Sequence, residues 1–152
     1  MKKKHAIHSA VPAGYAVKVA LYQDATLIDC PDLPEVHAVA YSVDAIEQQA
    51  LDAIETALYA YMQDRRPIPA PSASLRGKRM IHLPTLTQAK LALYAAVLDQ
   101  GLSKSELARR LGLPRPSVDR LLDVRHASKM EQLDAALALV GYRLDVQMRF
   151  AA

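Results

Sequence analysis

The stretch Ser103–Leu122, SKSELARRLGLPRPSVDRLL, constrains this chain more than any other. It reads as two short helices joined by a tight turn, the pattern that places a second helix in the major groove of DNA. Ser103 is set to cap a helix, and Glu106, three residues on, completes a capping box. Leu107, Ala108 and Leu111 recur on one face at helical spacing. Gly112 falls where that helix must stop, and glycine enters the left-handed conformation cheaply. Pro114 and Pro116 lack amide protons, a loss that only a helix's first turn tolerates, so a second helix is predicted near Arg115. Val118, Leu121 and Leu122 form its buried stripe, leaving Arg115, Ser117, Asp119 and Arg120 outside. An ordinary helical hairpin with solvated arginines is the plainer alternative, and it leaves the joint placement of Ala108, Gly112 and the arginines without a reason.

Charge is spread unevenly around this segment. Residues 5–74 carry three Lys and Arg against nine Asp and Glu, a net of −6. Residues 75–152 carry thirteen against seven, a net of +6. A basic half suits nucleic acid, and an acidic half suits a basic protein partner. With 51% hydrophobic and 23% charged residues the chain reads as globular. It has no apolar run of membrane-spanning length. The start, MKKKHAIHSAVPAGY, has lysines but no apolar core and does not read as a signal peptide. Cys30 is the single cysteine, which fits a reducing cytoplasm.

The boundary between the halves is expected in RRPIPAPSASLRG, where Pro67, Pro69 and Pro71 stiffen the chain and Ser72, Ser74 and Gly77 loosen it. Four regions follow: a flexible basic arm (1–14), an acidic module (15–64), a linker (65–79) and a basic helical domain (80–152). In the acidic module, alternation predicts strands over Tyr15–Tyr22 and Ala25–Cys30, with a turn at Gln23-Asp24. A loop is expected at Pro31–Pro34 and a third strand at Val36–Ala40. Ser42 then caps a helix through Ile46, Ala50, Ala53, Ile54, Ala57, Leu58 and Tyr61.

In the basic half, Thr87–Asp99 is expected as a helix closed by Gly101. Ser128 and Glu131 are expected as a further capping box, opening a helix that Gly141 ends. Arg143–Phe150 alternates, with Leu144, Val146, Met148 and Phe150 on one face, and is predicted as a terminal strand. A lone strand needs a partner. The same strand of a second copy, giving a two-fold dimer, is the first choice. Met80–Leu83 within the chain is the second. The fold class is therefore α+β, a β-β-β-α module followed by an all-α domain and a C-terminal strand.

These segments in this order resemble a HicB-type antitoxin whose C-terminal domain is similar to the lambda-repressor or Xre helix-turn-helix. Tyr15–Met62 resembles the family's N-terminal module, with PDLPEV at Pro31–Val36 standing where the family has a PDLPG-like loop. RPIPAPS at Arg66–Ser72 resembles its linker. Leu102–Leu144, including RLLDVRHASK at Arg120–Lys129, resembles its DNA-binding part. The sequence departs from the pattern at Glu35, where glycine is common, and at Ala40-Tyr41, where a Gly-Asp turn is usual. It departs again at Pro116, where a polar side chain often reaches a base, so less direct readout is expected there. The resemblance implies a catalytically incompetent, partial ribonuclease H-like module that binds a small basic RNA-cleaving toxin. It also implies repression of the chain's own operon through operator DNA bound as a dimer; a tetramer stays open, because each half could self-associate.

The residues themselves suggest how DNA would be met. Arg115, at the start of the second helix, can fork onto guanine, and Arg120 and Ser117 lie on the same outer face. Lys104 belongs against the phosphate backbone, and Arg125, His126, Ser128 and Lys129 follow as phosphate contacts. Asp29, Asp32 and Glu35 are the candidate contacts to the toxin. Together with Asp44 these carboxylates also invite a two-metal nuclease reading. The module is short for such a site, and no enzyme activity, metal or cofactor is expected. The five histidines (His5, His8, His37, His82, His126) are scattered, and a lone cysteine leaves no structural zinc spacing. Tyr59 and Tyr61, at the end of the long helix, are expected in core or interface rather than as a stacking platform. A stand-alone DNA-binding repressor, whose first module senses a ligand or only dimerises, is the competing reading.

Overall fold

A computed structural model describes residues 11–151. Strands β1 (Gly14–Tyr22), β2 (Ala25–Cys30) and β3 (Leu33–Ala40) form an antiparallel meander, and α1 (Ile46–Gln63) follows. Strand β4 (Arg79–His82) then precedes α2 (Thr85–Asp99), α3 (Lys104–Leu111), α4 (Arg115–Leu121) and α5 (Met130–Leu139). The sheet order is β3-β2-β1-β4, antiparallel throughout. The chain is thus mixed α and β, as its hydrophobic periodicities require.

Tight turns fix the registers. Tyr22 pairs with Ala25 across Gln23-Asp24, and Gln23 takes a left-handed φ of 54°. Cys30 pairs with Leu33, so only Pro31-Asp32 form the second turn, with a register shift at Asp29/Cys30. Strand β3 therefore starts three residues before the expected Val36. Pro34 fits inside it because β3 is an edge strand, where a missing amide costs no ladder bond.

Ser42 does not cap α1. Its side chain makes no capping bond, and a 3-10 turn, Val43–Ala45, intervenes. Helix α1 buries Ile46, Ala50, Ile54, Ala57, Leu58, Tyr61 and Met62 at the 3.6-residue period and packs on β2, β3 and β4. It ends where Arg65 adopts φ 53° and the Arg66 amide donates back to the Tyr61 carbonyl at 2.9 Å.

The stretch after α1 is fastened along its length. The Tyr94 hydroxyl donates to the Arg66 carbonyl at 2.5 Å, and the Tyr15 hydroxyl donates to the Pro69 carbonyl at 2.6 Å. The Ser72 amide and hydroxyl both donate to Asp32. Arg79–His82, split between the expected linker and the helical half, is the fourth strand of the sheet and pairs with β1. Gly14, expected in the arm, already belongs to β1. Residues 1–10 of that arm, with His5 and His8, lie outside the described residues.

Helix α2 joins the two halves of the fold. Its buried residues run almost all the way round, from Thr87 to Val97, and the buried cluster continues from the sheet through α1 and α2 into α3, α4 and α5. The terminal strand is not formed within the single chain: residues 142–151 carry no strand, and Met80–Leu83 is committed to β1 instead. A strand exists only where a neighbour supplies its hydrogen bonds. Leu144 rests on the core, while Val146, Met148 and Phe150 are almost fully exposed.

Candidate nucleic-acid interface and outer sheet face

Helices α3 and α4 are shaped by local chemistry. The Ser103 hydroxyl accepts from the Glu106 amide at 3.0 Å, which is half of the expected capping box. Glu106 does not return the bond. Its carboxylate instead takes Arg109 at 2.7 and 2.9 Å and Arg110 at 2.9 Å. Those hydrogen bonds hold the Glu106 carboxyl at about 2, well below its ordinary 4.5. Gly112 closes α3 at φ 64°, and the Leu113 amide donates to the Ala108 carbonyl at 3.0 Å. Pro114 sits at the cap of α4 and Pro116 in its first turn. Val118, Leu121 and Leu122 are buried.

The eight basic-half candidates fall into two groups. Arg115 is exposed at the start of α4, donating to Ser105 Oγ at 2.9 Å and to Asp119 at 3.3 Å. Lys104 is only 18% exposed, with its Nζ 3.1 Å from Asp119 and 3.4 Å from Gln63 Oε1. Partial desolvation pushes Asp119 up, but Lys104 and Arg115 outweigh it and hold the carboxyl below its usual range. Arg120 is exposed, 3.5 Å from the Ser117 hydroxyl. Together with Tyr59 and Gln63 of α1, and with Asp123, the residues Lys104, Arg115, Asp119 and Arg120 line a cleft of about 440 Å³.

The second group lies on the loop before α5. Arg125 bonds Asp123 Oδ1 through its amide at 2.9 Å and its Nε at 3.2 Å, and its guanidinium covers the Tyr59 ring. His126 Nδ1 is 3.4 Å from Ser128 Oγ. Lys129 is exposed at the N-terminus of α5. Ser128 does not cap α5, because its hydroxyl is turned inward to Lys90 at 2.8 Å.

Lys90 is the residue that sequence reading missed. It lies within α2 with no exposed surface, and its Nζ donates to the carbonyls of Arg120, Asp123 and His126 as well as to Ser128. Burial lowers it to about 8, against an upward pull from Asp123. A signal was present: Lys90 falls at the helical spacing of Leu86, Leu93 and Val97, a single charge on the buried stripe.

The acidic candidates do not converge. Asp29 faces His37 across β2 and β3, Oδ1 to Nδ1 at 2.7 Å, with both side chains exposed. Asp32 holds Ser72. Desolvation raises its carboxyl, and the two Ser72 hydrogen bonds lower it further than that. Glu35 accepts from the Tyr61 hydroxyl at 3.0 Å and pairs with Arg66 at 3.5 Å. Its own backbone amide, then Tyr61 and Arg66, keep it low against desolvation. Asp32 and Glu35 thus fasten the segment that follows α1, whereas Asp29 is engaged only by His37 on the exposed sheet face. Among the described residues no three His, Cys, Asp or Glu side chains gather where they could hold a metal, and no helix is long and apolar enough to cross a membrane.

Asp29 lies in a row formed with Lys18 and His37, beside a second row of Ala20, Leu27 and Val39, all on the sheet face away from α1. The family model described as HicB_like antitoxin of bacterial toxin-antitoxin system matches residues 14–92, from β1 into α2.

The chain belongs to the HicB-like antitoxin family.

Among its relatives, Antitoxin HicB of Pseudomonas fluorescens (strain Pf0-1) is 42% identical over 131 residues, covering 86% of this chain and 90% of the relative. Antitoxin HicB of Escherichia coli (strain K12) is 30% identical over 122 residues, covering 80% and 88%. These matches give this HicB-like chain an antitoxin role in a toxin–antitoxin pair rather than an enzymatic one.

Proposed function

We propose that this antitoxin works at two surfaces. The sheet module neutralises a small basic RNA-cleaving toxin, and the α3–α4 unit binds operator DNA as a helix-turn-helix to repress the chain's own operon. The observation that carries the DNA half is α4. One side, Val118 with Leu121 and Leu122, is buried, while Arg115 and Arg120 are exposed beside a loop bearing Arg125 and Lys129. A short helix anchored by its apolar side and basic on the other suits entry into the major groove, with phosphates held from the loop.

The toxin half rests on family membership and on the outer sheet face. There Ala20, Leu27 and Val39 offer apolar area, and Asp29 offers negative charge to a basic partner. The sheet is read as a partial ribonuclease H-like scaffold used for binding. Operators of this kind are read by dimers, and the exposed Val146, Met148 and Phe150 suit pairing of residues 143–150 with a second copy. Two recognition helices would then sit about one DNA turn apart, roughly 34 Å, on a palindromic site. The setting is cytoplasmic.

The test for the DNA half is titration of the full chain with a duplex from its own upstream region at several salt concentrations. A steep loss of affinity with salt is expected. Absence of binding at low salt sinks this half of the reading. Binding that persists while no basic protein associates with the sheet favours a stand-alone repressor.

A further inference from the structure

The Lys90 ammonium gathers four oxygens from one short stretch: the carbonyls of Arg120 and Asp123 at 2.8 Å, that of His126 at 2.6 Å, and Ser128 Oγ at 2.8 Å. Arg120 lies in the last turn of α4, whose carbonyls have no partners further along the helix. Asp123, His126 and Ser128 lie in the irregular segment that leads to α5. A cation brought from α2 thus caps the C-terminal end of α4, where the helix dipole favours positive charge, and ties down the loop beyond it.

Burying an ammonium is costly unless every donor is used. An apolar side chain of similar length would pack in the same place without that cost, so packing alone does not account for a lysine here. What the lysine adds is one cation that joins oxygens from separate turns of this stretch: the Arg120 and Asp123 carbonyls already accept from the Asp123 and His126 amides, at 3.2 and 3.1 Å, and Lys90 ties both of them to the His126 carbonyl and Ser128. No buried side-chain nitrogen or oxygen among the described residues is left without a partner. The segment that Lys90 organises, 120–129, carries five of the eight candidate DNA contacts: Arg120, Arg125, His126, Ser128 and Lys129.

We propose that Lys90 is a positioning residue for DNA binding: from inside the protein it holds the end of α4 and the following loop so that Arg120, Arg125 and Lys129 present one surface to the phosphate backbone. This rests on the reading of α3–α4 as the DNA-binding unit. Lys90 itself touches no DNA, since its side chain is enclosed.

The test uses the full-length chain with Lys90→Met and Lys90→Gln, each measured below its melting transition. Amide hydrogen exchange in 120–129 is expected to quicken by about tenfold or more in Lys90→Met, with β1–β3 unchanged, because the loop loses its internal anchor. Affinity for the upstream duplex is expected to fall by about tenfold or more, the loss of one to two well-placed contacts. Lys90→Gln, which keeps an N–H₂ group on a shorter stem, should fall between wild type and Lys90→Met. It also serves as the test variant if Lys90→Met does not fold.

A folded variant with unchanged exchange in 120–129, or with affinity within about twofold of wild type, overturns the proposal, since one lost contact should already exceed that. A wild-type chain that binds no duplex is a different result, because it removes the DNA reading itself and any binding role for Lys90 with it.

Discussion

The guanidinium of Arg125 lies 3.6 Å above the ring centroid of Tyr59, so the loop after α4 is stacked on the last turns of α1. Lys104 reaches the same helix end at Gln63. The sheet module and the basic helices therefore meet through two of the cations proposed to contact DNA. A cation over a tyrosine face contributes about 0.5–1 kcal/mol when exposed. A double-mutant cycle with Tyr59→Leu and Arg125→Met is expected to give a coupling of about that size in thermal or denaturant unfolding. Additive effects would show that the stacking is not energetically meaningful.

DNA contacts should separate into two kinds. Arg115→Ala is expected to cost about 1–3 kcal/mol against the cognate duplex and to narrow the gap between cognate and scrambled DNA. Lys129→Ala should weaken both duplexes alike and reduce the salt slope by about 1. Fluorescence anisotropy at several salt concentrations distinguishes the patterns. Equal behaviour of the two variants would contradict the placement of Arg115 at base edges.

Acid should weaken α3 through Glu106. Its folded value of about 2 lies below the ordinary 4.5 because Arg109 and Arg110 hydrogen-bond the charged carboxylate. A depressed carboxyl stabilises the fold above pH 4.5, and that contribution is lost as pH falls through about 2. Melting temperature measured across this window should fall less steeply in Glu106→Gln than in wild type. Identical acid limbs would mean that the pairs with Arg109 and Arg110 do not stabilise the fold.

Gly112→Ala isolates the turn between α3 and α4. The glycine has φ 64°, and an added Cβ would meet nothing within 4 Å, so the cost is backbone strain alone. That strain is about 1–2 kcal/mol. Gly14 gives the opposite case, since a Cβ there would lie 2.5 Å from the Ile81 carbonyl oxygen in the β1–β4 pairing. Chemical denaturation should place Gly112→Ala in the strain range and Gly14→Ala beyond it.

Much of this architecture was legible because short-range rules govern it. The meander followed from alternation and two turns, and α3 and α4 followed from Ser103, Gly112 and the two prolines. What escaped was long-range. Met80–Leu83 could be read as a partner for the terminal strand, but the actual partner of Arg79–His82 lies more than sixty residues earlier, at Gly14–Val17, where no local pattern points to it. Ser42 and Ser128 have capping sequence but not capping geometry, the second because Lys90 claims its hydroxyl. Asp32 and Glu35 looked free for a partner until the fold brought Ser72 and Tyr61 to them. The alternation in 143–150 marks strand potential that a single chain does not realise.

The most direct measurement is co-expression of the tagged chain with whichever small protein is encoded next to its reading frame, followed by purification through the tag. The two-surface account predicts co-elution at fixed stoichiometry, silenced RNA cleavage, and loss of the partner when Leu27 and Val39 on the outer sheet face are changed to lysine. A basic protein that does not co-elute, or that the lysine variant retains unchanged, would contradict it.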